Sequence, residues 1–383
     1  MGGPPVIGSV RKSIDAFFGW LNAPVANAAG RLGLFRIIYG LFYLWYLATQ
    51  SPGMIGITPN SFYEWPITIL QGWPMPPSVA FIENIESLLA GCLVLLTIGC
   101  WTRTMNVLVL ALGMVLEGYV SVVDVERSNA MMAFFIPCYM LLVGNWHTAW
   151  SVDALRNRSR ELAPVDPREV GSSFKASKLC LLTFVILFMS AGYYKITGSW
   201  LEQPAFIGHA TILVAIDAAF FDLYVNPYAR FVADTPWVYS TMMWGTILFE
   251  CFFFVCLLGR RVRVFVFSMA LLFHTVNAIY LWVTFTGIMI TYGAFLDWQR
   301  LADRIGLDRI GETVAAIPHR ALYAGSVICA AAIGIGWNST TFSRSIFTAG
   351  DLITFQTIWI PVPIFVAWWC YETYLRKRDP RLW

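Results

Sequence analysis

Five ionisable side chains stand inside or at the ends of apolar runs. They are Arg36 in "GLFRIIYG", Glu117 in "MVLEGYV", Lys195 in "SAGYYKITGSW", Glu250 in "ILFECFFF" and His274 in "LLFHTVNAI". A charge placed in hydrocarbon costs several kcal/mol unless it is paired or faces a wet cavity, so each is a candidate for function. Lys195 is the sharpest case. A lysine at the end of an apolar run can reach out to lipid headgroups along its own stem. If instead it points inward, the penalty on a buried charge favours the uncharged amine, which can serve as a general base. His274 and Asn277 lie three residues apart, so on a helix they share a face and offer two polar groups to one cavity. The alternative for His274 is an interhelical hydrogen bond. Arg36 suits a structural role, its planar fork holding a carboxylate or free carbonyls. Glu250 is its expected counter-ion, since both would otherwise be left unpaired. Glu117 fits a hydrogen bond within a bundle or a proton-handling role.

The elements that must position these groups are long and greasy. Of 383 residues, 58% are hydrophobic and only 13% charged, with 17 Trp and 28 Phe, which describes an all-α polytopic membrane protein rather than a soluble domain. Apolar stretches near the roughly 20 residues that cross a bilayer occur at about 31–49, 83–100, 105–123, 129–144, 177–194, 239–258, 264–282, 321–337 and 354–375. A shorter one runs 283–296, so the sequence predicts nine or ten spans. With the N-terminus inside and all ten crossing, the outer side holds only Arg127, Lys195, Arg230 and Arg344 of the 26 basic residues. Arg36 lies within a span, and the rest fall on the inner side, the bias expected of cytoplasmic loops. Both termini are then cytoplasmic, and Lys195 stands at the outer end of the fifth span. The protein is expected in a cytoplasmic membrane.

Residues 1–29 read as an interfacial amphipathic segment carrying Phe17, Phe18 and Trp20. Net charge is +3 with basic residues scattered through short loops, so no nucleic-acid partner is implied. The eight cysteines fall in or beside apolar runs and the four histidines are not paired with them at ligand spacing, so neither a disulfide framework nor a metal site is predicted.

Several runs, in order, are similar to one family. They are "RLGLFRIIYGLFYLWYL", "LLTIGCWTRTMNVLVL", "NWHTAWSVDALR", "FMSAGYYKITGSWLEQ" and "ILFECFFFVCLLGRRVRVFVFSMALLFHTVNAIYLW". The chain resembles the membrane domain of vitamin K-dependent gamma-carboxylase and, more broadly, the bacterial HTTM (horizontally transferred transmembrane) proteins that share that domain. The resemblance covers residues 30–300 and leaves 301–383 as a connector, two further spans and a basic tail. It implies that Lys195 is a catalytic base acting on a reduced quinone of naphthoquinol type, in an outward-facing pocket. In the family, oxygen then generates a stronger base that lets carbon dioxide add to a glutamate. His274 matches a second histidine of the family and Asn129 the asparagine of an Asn-His pair. The implied pocket is lined by Lys195, His274, Asn129 and Asn277, with Tyr194 and Trp200 as aromatic ligand-binding neighbours of the lysine.

Two departures keep other functions open. Ala130 stands where the family pair continues with histidine, and residues 297–383 offer no counterpart of the large lumenal domain that engages protein substrates. One alternative is a non-catalytic structural or accessory subunit of a larger membrane complex. A weaker one is a helper in peptide-toxin maturation or export. The partners implied are the bilayer, a quinone or lipid ligand and other membrane subunits.

Overall fold

The computed structural model describes residues 5–25, 28–49, 78–123, 131–159, 174–198, 200–203, 205–220, 228–281, 285–296, 298–306, 309, 313–314 and 316–337. Among these residues every regular element is helical. Helices satisfy their own backbone polar groups, which is what so apolar a chain requires. Among the described residues four segments are long and apolar enough to cross a membrane: Val79–Ile98, Lys175–Thr197, Pro236–Leu258 and His319–Trp337. The ninth predicted span, 354–375, lies outside the described residues.

The chain forms two compact units. The first comprises Met1–Cys180 and Ile290–Phe342, apart from the final residues Leu382–Trp383 that also belong to it. It begins with α1 (Pro5–Asn22) and α2 (Ala28–Thr49), followed by α3 (Val79–Ile98) and α4 (Thr102–Val123). Helix α1 falls within the 1–29 segment, with Ile14, Phe17 and Phe18 exposed on it. Lys178 ties down its end, donating to the carbonyls of Trp20 at 2.6 Å and Ala23 at 2.8 Å. These are among the carbonyls that a helix C-terminus leaves without partners.

Helix α3 starts four residues before the predicted span, because Ser78 caps it: the Ser78 Oγ accepts from the Phe81 N–H at 3.2 Å. It stops at Gly99, whose φ of 79° is the left-handed conformation that closes helices, its N–H donating to Leu95 and Leu96. Helix α2 packs against α3. At Gly40 a Cβ would fall on the Thr97 side chain, so only glycine allows this approach.

The predicted span 129–144 is broken into a π-turn, Met131–Phe135, and α5 (Ile136–Val143). Pro137 supplies the reason: it has no N–H to close the preceding α-turn, so the ladder slips. Helix α6 (Val152–Ser159) follows, and the first unit also holds the start of α7 (Lys175–Thr197).

The second unit comprises Leu181–Met289 and Ser343–Arg381. Its described helices after α7 are α8 (Phe206–Phe220), α9 (Ala229–Asp234), α10 (Pro236–Phe252) and α11 (Arg260–Leu281). A tighter 3-10 turn, Phe253–Leu258, ends α10. Ile207, Met243 and Ile247 form a small core packed by Trp200, Leu201 and Tyr239. A second cluster stacks Phe188 on Phe253 at 4.3 Å, with Phe184, Phe249 and Phe267 around them.

Among the described residues of the tenth predicted segment, 283–296, the helix is α12 (Thr286–Gly293). Eight residues span about 12 Å, less than half of a hydrocarbon core of roughly 30 Å. Its buried side chains include Ile288, Ile290, Thr291 and Tyr292. Helices α13 (Trp298–Ile305) and α14 (His319–Trp337) return to the first unit, where α14 packs on α3.

Candidate functional site

Lys195 lies in the last turn of α7 and Glu250 near the end of α10. One turn before the lysine, Gly192 clears the space between these helices. A Cβ there would lie 2.7 Å from Cys251 Sγ and 3.2 Å from Glu250 Cβ. Through this contact the lysine reaches over α10. Its Nζ donates to both carboxylate oxygens of Glu250, at 2.7 Å to Oε1 and 2.6 Å to Oε2. The side chains are 15% and 5% exposed. The indole of Trp200 covers the ammonium, with Nζ 5.0 Å from the ring centroid. That placement favours a cation electrostatically. Trp200 rests in turn on Phe206, ring to ring at 5.6 Å.

The lysine therefore does not dangle outward. It is half of a bidentate ion pair. Glu250 was expected to neutralise Arg36, but its two oxygens are both engaged by Lys195. Arg36, fully buried in the first unit, instead donates to three backbone carbonyls: Trp146 at 2.5 Å, Ala149 at 3.3 Å, and Trp150. Those carbonyls belong to a loop that no helix satisfies, and a guanidinium has enough donors in a fixed fork to hold it.

The remaining expected site residues part company. Tyr194 is 71% exposed; its carbonyl accepts from Gly198 N–H as the helix ends. His274 is completely buried, with ring centroids of Phe285, Phe273 and Phe188 at 4.8, 5.5 and 6.1 Å. Asn277 is 7% exposed, and its side-chain amide nitrogen has no partner among the described residues. Phe188 is seven residues from Lys195 on α7, about 10 Å along the helix axis. Asn129 lies outside the described residues.

A second polar cluster, in the first unit, escaped sequence reasoning. Asp153, in the first turn of α6, accepts from the Thr102 N–H at 2.8 Å, the Thr102 hydroxyl at 2.7 Å and the Trp101 N–H at 3.2 Å. The Tyr323 hydroxyl also donates to it. The carboxylate thus caps the start of α4. Burial pushes the Asp153 carboxyl up, but the bonds from Tyr323, Thr102 and Trp101 outweigh this and hold it below its usual value. Next to it, Trp101 and Trp150 have φ of 48° and 53°. A non-glycine residue there carries of order 1–3 kcal/mol of strain, which the bonds to Asp153 and Arg36 restrain. The signal lay in "WSVDALR": Ser151 caps α6 by accepting from the Ala154 N–H at 2.9 Å, and an acidic residue follows in the first turn. In the loop before it, burial lowers the pKa of His147, with Arg36 and Arg103 pushing the same way against Asp153.

Two tyrosines of α2 were also missed. Tyr39 and Tyr43 are fully buried, and the Tyr39 hydroxyl donates at 2.8 Å to the Met132 carbonyl in the π-turn. Among the described residues no group of three His, Cys, Asp or Glu is placed to hold a metal ion.

Chemically, Lys195 and Glu250 form a largely buried ion pair. An ammonium has three N–H donors. Two are committed to Glu250, which leaves one on a nitrogen flanked by an aromatic face. Comparison of the chain with protein-family models, with curated proteins and with solved structures found no match.

Proposed function

We propose that this chain is an integral membrane protein of the HTTM class, resembling the membrane domain of vitamin K-dependent gamma-carboxylase, in which Lys195 and Glu250 together form the base. The observation that carries this reading is the two-oxygen grip of Glu250 on the Lys195 ammonium beneath Trp200. A lone buried amine would have to be neutral to act. A paired one needs only to hand a proton to its carboxylate, leaving the amine lone pair free to take another from a ligand. Glu250 then holds the first proton, and the single positive charge left on the dyad is balanced by the anion formed on the ligand until a proton is released. Trp200 and the open Lys195 donor would hold a quinol-like or lipid-like molecule. A quinol, when bound, supplies an acidic ring hydroxyl and reducing equivalents.

In this reading ten segments cross a bacterial inner membrane with both termini cytoplasmic, and the dyad faces outward. The short 283–296 segment then passes through protein rather than lipid, where so short a helix is tolerated.

The test is naphthoquinol binding by the purified full-length protein, read from quenching of tryptophan fluorescence. Lys195→Ala and Glu250→Gln should each weaken it at least tenfold, while Lys195→Arg, which keeps the charge, retains most of it. Unchanged affinity in both single variants would remove the dyad from the function.

A second reading, a non-catalytic subunit of a membrane complex, is favoured by the rings of Phe188, Phe273 and Phe285 filling the space around His274. It expects stoichiometric partner chains to co-purify from native membrane.

A further inference from the structure

The first unit contains a cavity of about 280 Å³ walled by Thr102, Arg103 and Asn106 of α4, the end of α5 from Met140 to Val143, the loop Gly144–His147, and Lys175 of α7. Its chemistry is one-sided. Arg103 and Lys175 bring two cations, and among the described residues no carboxylate lines it. Neither cation forms an ion pair among the described residues. Asp153, whose charge is felt at His147, already receives bonds from Tyr323, Thr102 and Trp101.

Asn106 adds a second, independent observation. It is 1% exposed and spends its amide N–H on the Pro137 carbonyl at 3.0 Å. Its Oδ1 is buried with no partner among the described residues. An orphaned buried acceptor is costly, and a donor from a bound molecule relieves it. The apolar side of the pocket leads outward: Leu142 is 69% and Val143 37% exposed.

We infer that this cavity is a binding site for the headgroup of an anionic phospholipid bearing a hydroxyl, of the phosphatidylglycerol kind. The phosphate lies between Arg103 and Lys175, a headgroup hydroxyl donates to Asn106 Oδ1, and the acyl chains run over Leu142 and Val143. The size agrees, falling just below the roughly 300–1,000 Å³ of pockets that enclose a drug-sized ligand. That is room for a headgroup with its chains left outside. Basic pockets between membrane helices on the cytoplasmic side are a recognised place for such lipids. The inference rests on the membrane reading above but uses none of the residues of the dyad.

The experiment is native mass spectrometry of the full-length protein in detergent, titrated with phosphatidylglycerol or phosphatidylcholine of equal chain length. Phosphatidylglycerol should bind in preference, and the double variant Arg103→Gln/Lys175→Gln should weaken it about thirtyfold, roughly fivefold per basic residue. Lys175 is half-buried and Arg103 exposed, so the double variant should keep the wild-type unfolding temperature without lipid. Asn106→Asp, which sets a second anion against the phosphate, should weaken binding in the same sense. Equal retention of both lipids, or of phosphatidylglycerol by wild type and double variant alike, overturns the site. Displacement of the lipid by millimolar inorganic phosphate overturns the lipid assignment in favour of a soluble phosphate ligand. Because Lys195 and Glu250 are intact in these variants, loss of lipid with naphthoquinol binding preserved separates this site from the dyad.

Discussion

A lysine and a glutamate joined by two short hydrogen bonds in a largely buried site have the energetics of a pair. Removing one partner strands the other. Lys195→Met or Glu250→Leu alone should each destabilise the protein by about 3 kcal/mol, whereas the double replacement should cost less than the two summed. Thermal unfolding of the four proteins in one detergent measures this, and strict additivity would mean the pair carries no coupling. Asp153 gives a pH prediction at the same scale. Its folded pKa lies below the usual 3.8 despite burial, because Tyr323, Thr102 and Trp101 bond the ionised form. Its contribution to stability is therefore complete above that usual value and is lost as pH falls through the lower folded one. Asp153→Asn should lower stability near pH 7 by about 1–2 kcal/mol, with the gap to wild type closing in acid titrations of unfolding temperature.

Helices in this chain meet where glycine lets them, and the cost of adding one methyl group reports which meetings matter. At Gly40 the Cβ would lie 3.0 Å from Thr97 Cβ and 3.3 Å from its Cα, so α2 and α3 would have to part. Gly40→Ala should destabilise by about 1–3 kcal/mol, the range for overpacking a filled interior. Gly245 of α10 has nothing within 4 Å of a Cβ. Gly245→Ala should be neutral or stabilise by about 0.5–1 kcal/mol through helix propensity. Comparing the unfolding temperatures of the two variants checks the packing of each helix face separately. Similar losses in both would contradict the different surroundings of the two glycines. The broken span at Met131–Val143 belongs to this scale too: its apolar pattern is continuous, and only the missing N–H of Pro137 marks the slip.

Over the whole molecule, the asymmetry of Lys and Arg makes an orientation test direct. Alkaline phosphatase fused after Arg230 should be active, and a green fluorescent protein fused at the C-terminus should fluoresce. A reversed pair of results would invert the topology and turn Lys195 toward the cytoplasm. What the amino-acid sequence determined by itself was the class of solution. With 58% hydrophobic residues and 13% charged, laid out in continuous apolar runs rather than the alternation of barrel strands, helices satisfy the backbone away from water, and every regular element among the described residues is helical. It also exposed Arg36, Lys195, Glu250 and His274 as misfits, because a charge or imidazole in an apolar run is conspicuous on energetic grounds alone. Which misfit answers which could not be read from it. Lys195 and Glu250 lie 55 residues apart, and two cations competed for one carboxylate. The choice depended on how closely Gly192 lets α7 approach α10, while Arg36 found carbonyls in a loop more than a hundred residues away. Pairing is decided by distances of a few ångströms between helices, and those arise only when the faces of separate helices pack.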